Sequence, residues 1–102
     1  MIDCDPGIDD AVSIALAVNS PELALRGVTT VAGNVPLELT TANALNLLAA
    51  LGRDGVPVAA GAAQGLVRTK PDHPLVHGAN GFGGVELPSA RRDAQPEHAV
   101  EF

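Results

Sequence analysis

The sequence predicts an α/β fold built on a doubly wound, mostly parallel sheet, and three observations carry that prediction. Strand-like and helix-like stretches alternate over residues 1–60, Pro and Gly punctuate their junctions, and the polar clusters fall just after strand-like stretches. Strand, helix, strand, helix, strand in that order implies parallel strands joined by right-handed crossovers. Sheets of this kind bind ligands beyond the carboxyl ends of their strands, which is where Asp5 and Asn34 would both lie.

Residues 1–4 read as the end of a first strand. Pro6 and Gly7 turn the chain, with Gly expected to supply a positive φ. Residues 11–18 are apolar apart from Ser13 and read as a buried helix, with Asp9 and Asp10 at its start. Free N–H groups and the positive end of the helix dipole favour acids there. Asn19, Ser20 and Pro21 stop that helix, since Pro cannot continue it and restricts the residue before it.

Residues 23–31 read as a second strand, ending in Ala32, Gly33, Asn34 and Val35. Pro36 suits the first turn of a second helix. Leu37, Thr41, Ala44, Leu45, Leu48 and Leu51 then recur at helical spacing until Gly52 closes it. Residues 56–60 form a third, short strand. Residues 61–95 show no periodic pattern and read as a loop region on the active-site side, because a structureless stretch of that length is unusual in a compact domain unless it lines a site or packs on further partners. Residues 96–102 resemble the opening turns of another helix, with Pro96 at the start and acids following.

Asp3, Asp5, Asp9 and Asp10 put four carboxylates into eight positions around a Pro-Gly turn. Like charges that close repel unless a cation sits among them. Oxygen-only donors suit Ca²⁺ or Mg²⁺, whereas zinc favours Cys and His. A first-turn Asp is also explained by the helix terminus alone, which accounts for one carboxylate but not for four. An Asp-X-Asp at a strand end also occurs in phosphatases, although Pro-Gly-X-Asp-Asp follows here in place of their usual Thr or Val. Asn34 taken alone is a turn residue, and its position at an equivalent strand end points to a ligand contact.

His73 and His77 stand four apart, but Pro74 between them makes a helix-borne zinc pair untenable. His77 by itself reads as a loop histidine. The glycines of residues 78–84 match neither the dinucleotide pattern nor a P-loop.

With 12 acidic against 6 basic residues the formal net charge is −6, which argues against nucleic acid and anionic membranes as partners. The one Cys allows no internal disulfide, and Cys4 in the first strand reads as a buried thiol. Without a leader-like opening or an apolar run of about 18 residues, the chain reads as cytoplasmic. Two Phe and no Trp or Tyr make the core aliphatic. At 102 residues the chain makes one domain at most. Two helices cannot cover both faces of a parallel sheet. Met1 stands directly before the acidic motif and the last helical pattern stops after its opening turns. The fold therefore reads as incomplete at both ends.

The opening Asp3-Cys4-Asp5-Pro6-Gly7-Ile8-Asp9-Asp10 resembles the start of the inosine/uridine-type nucleoside hydrolases. The resemblance continues through Val28 to Asn34, Gly61, and His77 to Gly84. It implies that residues 1–102 are the amino-terminal part of a single nucleoside hydrolase domain. It further implies hydrolysis of the N-glycosidic bond of ribonucleosides to ribose and free base, with Ca²⁺ as cofactor and homo-oligomers formed through later portions of the fold. Asp5 would be both calcium ligand and catalytic general base, and Asp10 a second calcium ligand. Asp9 and Asn34 would bind the ribose hydroxyls, Asp3 would support them from behind, and His77 would stand near the nucleobase or the pocket mouth. Ala79 departs from the family's form, which often carries an acid there. The resemblance places further calcium ligands and the leaving-group acid later in such chains, so a catalytically inactive fragment with a weak metal or ribose site is the alternative.

Overall fold

The computed structural model describes residues 1–67 and 76–102. Its elements are β1 (Ile2–Cys4), α1 (Ile8–Asn19), β2 (Val28–Thr30), α2 (Leu37–Ala50) and β3 (Val58–Ala60). The sheet order is β1-β2-β3 with both pairings parallel, as the alternation of elements predicts. Ile2 aligns with Val28 and Val58, and Cys4 with Thr30 and Ala60.

Side chains alternate across a strand, so one face of the sheet carries Cys4, Val28 and Val58. These pack with Ile14 of α1 and with Ala44, Leu47 and Leu48 of α2 to form the core. Thr30 joins this side through its hydroxyl, 2.8 Å from that of Thr41. The opposite face carries Asp3, Thr29 and Ala59. Both helices lie on the first face, and on the second Asp3 is exposed. Residues 95–102 run beside β3, with the Gln95 N–H donating to Val58 (2.7 Å) and the Ala99 N–H to Ala60 (2.9 Å). His98, Ala99 and Val100 share a cavity with Asp3 and Thr29. The expected last helix is a single turn, closed by hydrogen bonds from Glu101 and Phe102 to the His98 carbonyl.

Three local expectations need correction. The second strand is Val28–Thr30, shorter than residues 23–31, with its pairing to β1 beginning at Ile2 and Val28. Helix α1 starts at Ile8, earlier than expected, and is a surface helix: Ile14 is its one fully buried residue, while Val12 and Leu16 are exposed. Gly7 has an extended φ of −112°, so its glycine serves space rather than a left-handed turn. A Cβ there would come within 2.6 Å of the Asn34 amide and 2.9 Å of His77 Nδ1.

The close of α2 is as expected and has a clear mechanism. Gly52, at φ +67°, donates to Ala49, and Arg53 donates to Leu48, the paired bonds of a glycine-terminated helix end. Among the described residues of 61–95 no helix or strand occurs beyond a single bridge at Gln95. His73 lies outside the described residues.

Candidate active site

The carboxyl ends of β1 and β2 are tied together by Asp5 and Asn34. The Asn34 N–H donates to Asp5 Oδ2 at 2.6 Å, and the Asn34 side-chain amide donates to the Asp5 carbonyl at 3.0 Å. Gly33 makes this possible, since a Cβ there would overlap the Asp5 carboxylate. The sequence expectation that both residues reach one crevice is therefore a direct contact.

Pro6 and Gly7, both buried, carry the chain from β1 into α1. No side chain of the adjoining turn caps α1, whose N-cap is Gly7. Asp9 and Asp10 sit in the first turn without capping it. The cap comes from far along the chain: the Ile8 N–H donates to His77 Nδ1 at 3.1 Å. A nitrogen that accepts a hydrogen bond carries no proton, so this contact places the His77 proton on Nε2. Asp9 Oδ1 lies 3.8 Å from the same Nδ1. Pairing there would require the proton on Nδ1, which excludes the Ile8 bond. The Asp9 side chain is 77% exposed, so that ion pair is screened by water and the Ile8 contact governs the ring.

The carboxylates do not form one equal cluster. Asp3 points to the face away from the helices, where Thr29 Oγ1 donates to it at 2.7 Å. Asp10 stays close to Asp5 and Asp9. Burial, followed by the negative charges of Asp9 and Asp5, holds the Asp10 carboxyl above the usual carboxylate range, while N–H groups of Gly7 and Asp5 act in the opposite sense. The Cys4 thiol is pushed up to about 12, first by burial and then by Asp10, Asp3 and Asp5. It is buried against the Thr29 carbonyl and has no nucleophilic character.

Asp5 and Asp10 thus offer hard oxygen donors whose mutual repulsion a cation would relieve, which fits calcium in kind. In number they fall short. Among the described residues, no three His, Cys, Asp or Glu side chains converge closely enough to hold a metal ion, and Ca²⁺ takes six to eight oxygens.

Two asparagines build the site without having been singled out in the sequence. Asn43, buried on α2, donates through Nδ2 to the Pro6 carbonyl (3.1 Å) and the Asn80 carbonyl (2.8 Å). Asn80 accepts the N–H groups of Phe82 and Gly84 at 3.0 Å each and donates to Val85 at 2.9 Å, which shapes the turn after His77. The signal for Asn43 was a poor helix former on the apolar side of α2. Asn80 gave no more than an Asn-Gly turn signal.

Residues 1–102 match the family model described as inosine-uridine preferring nucleoside hydrolase. The chain is 50% identical over 102 residues to the pyrimidine-specific ribonucleoside hydrolase RihA of Photobacterium profundum, covering all of this chain and 33% of the relative. It is 45% identical over 103 residues to the inosine-uridine preferring nucleoside hydrolase of Leishmania major, with the same coverage. Its fold superposes on the purine-preferring ribonucleoside hydrolase from Gardnerella vaginalis with a TM-score of 0.91 at 36% identity, over 98% of this chain and 33% of that one. The chain spans about a third of the length of the curated relatives it matches. By sequence and by fold, it belongs to the inosine-uridine preferring nucleoside hydrolase family.

Proposed function

We propose that the chain supplies the amino-terminal part of an enzyme that hydrolyses the N-glycosidic bond of ribonucleosides to ribose and free base with calcium bound. The observation that carries this reading is the pairing of Asp5 with Asn34 at adjacent strand ends, with Asp10 crowded beside Asp5. When bound, Ca²⁺ supplies positive charge that orients oxygen ligands and makes a water more acidic. Asp5 and Asp10 are the residues of this chain that would hold it.

Asp5 is the general base. One carboxylate oxygen is held by the Asn34 N–H, and the other takes a proton from the attacking water. As the base departs, the ribose ring gains oxocarbenium character, and the negative charges of Asp5, Asp9 and Asp10 stabilise it. Asp9 and Asn34 bind ribose hydroxyls, Asp9 from an exposed position at the start of α1. Asp3, bonded to Thr29 across the strands, fixes the approach of β1 to β2. His77 presents Nε2–H towards the base side of the crevice. Residues 1–102 serve as one part of a single domain, with residues 61–95 on its active-site side.

A second reading is favoured by the absence of a three-residue metal cage among the described residues. On that reading the chain is an inactive fragment with a weak cation or ribose site. The two separate in a chimera in which residues 1–102 replace the matched segment of the Photobacterium hydrolase. The hydrolase reading predicts ribose release from a ribonucleoside, reduced at least about a hundredfold in Asp5→Ala. A folded chimera that releases no ribose above the Asp5→Ala background overturns it.

A further inference from the structure

We infer that Asn43 is a positioning residue that locks the Asp5–Gly7 turn and the His77–Gly84 turn into one register, and thereby fixes the His77 ring on the start of α1. The two turns lie more than sixty residues apart in the chain and belong to no common element. Both meet at one amide: Asn43 Nδ2 spends its two hydrogens on the Pro6 and Asn80 carbonyls. Asn43 is buried, so no water replaces those bonds cheaply.

Gly81 closes around the same point. Its φ is +83°, and a Cβ there would stand 2.8 Å from Asn43 Nδ2 and 3.3 Å from the Pro6 carbonyl. Backbone from both turns thus packs directly on the Asn43 side chain. Beside Gly7, where a Cβ would stand 2.9 Å from the ring, His77 Nδ1 accepts the Ile8 N–H. Removing the amide donors leaves the buried Pro6 carbonyl and the half-buried Asn80 carbonyl without these hydrogens and frees the turns to separate, which loosens His77 from Ile8. The inference rests on the hydrolase reading only for what the His77 ring does in the crevice.

The test uses the 102-residue chain at neutral pH and reads the imidazole ¹⁵N shifts of His77 and the amide exchange of Ile8. Asn43→Asp keeps the shape but carries no N–H, Asn43→Gln keeps both donors, and Asn46→Ala removes a different cross-chain bond, that from the Ala90 N–H at 2.8 Å. The wild type and Asn46→Ala show one His77 tautomer, protonated on Nε2. Asn43→Asp shows mixed tautomers and Ile8 exchange about tenfold faster, and Asn43→Gln recovers part of both. Should Asn43→Asp fail to fold, Asn43→Ser, with a single donor, is read in the same way. A folded donor-deficient variant that keeps the single tautomer and the slow Ile8 exchange overturns the inference. Ribose release plays no part in this readout, so its failure and that of the hydrolase reading are separately visible.

Discussion

The Asp5 carboxylate accepts the backbone N–H of Asn34 at 2.6 Å, and the Asn34 side chain returns a hydrogen bond to the Asp5 carbonyl at 3.0 Å. This reciprocal pair joins the ends of two parallel strands and fixes one carboxylate oxygen. It leaves the direction of the other to be decided by whatever the crevice binds. The pair depends on a close backbone approach at Gly33, and the consequences can be measured.

Gly33→Ala places a methyl group where the Asp5 carboxylate now sits. Either the strand end or the carboxylate must move, at a cost of about 1–3 kcal/mol. Denaturant unfolding of the variant should show that loss, and the Asn34 amide proton should exchange faster than in the wild type. Unchanged stability and exchange would mean that the contact is dispensable.

Asp10 titrates above the ordinary carboxylate range in the folded chain. A raised folded value means that folding favours the protonated form, so stability falls as pH rises from the ordinary carboxylate range through the raised one. Asp10→Asn should therefore stabilise the metal-free chain at neutral pH and make no difference well below pH 3. Partial exposure and screening limit the gain to about 0.5 kcal/mol. Urea titrations of both proteins across that pH range check the sign, and a destabilising Asn would contradict it.

Cys4 is buried and its thiol is pushed up to about 12. In the folded chain at pH 8 its alkylation by iodoacetamide should be at least about a hundredfold slower than in denaturant. Mass spectrometry of timed samples measures this. Equal rates would show that β1 does not stay paired with β2.

Much of this arrangement was legible in the sequence because its causes are local. The Pro-Gly turn, the acids ahead of an apolar run and the Gly52 helix stop each act within a few residues, and the alternation of elements then dictates a parallel sheet. Less was visible where the cause is distant. Nothing in Ile8 signals that its N–H is capped by His77, and nothing in Pro6 signals that Asn43 holds its carbonyl. Gly7 shows the limit well: a Pro-Gly pair suggests a left-handed turn, yet the glycine is extended and is needed for the space taken by Asn34 and His77. The four carboxylates were adjacent in sequence, and strand alternation sent Asp3 to the other face.

The most direct test of the site is calorimetric titration of the 102-residue chain with Ca²⁺, alongside Asp5→Ala, Asp10→Ala and Asp3→Asn. Two carboxylate ligands of a six- to eight-oxygen shell predict weak binding, with Kd of about a millimolar. That heat should be lost in Asp5→Ala and Asp10→Ala and retained in Asp3→Asn. Binding that survives both alanine variants, or no binding in the wild type, would contradict the assignment of Asp5 and Asp10 as the calcium ligands of this chain.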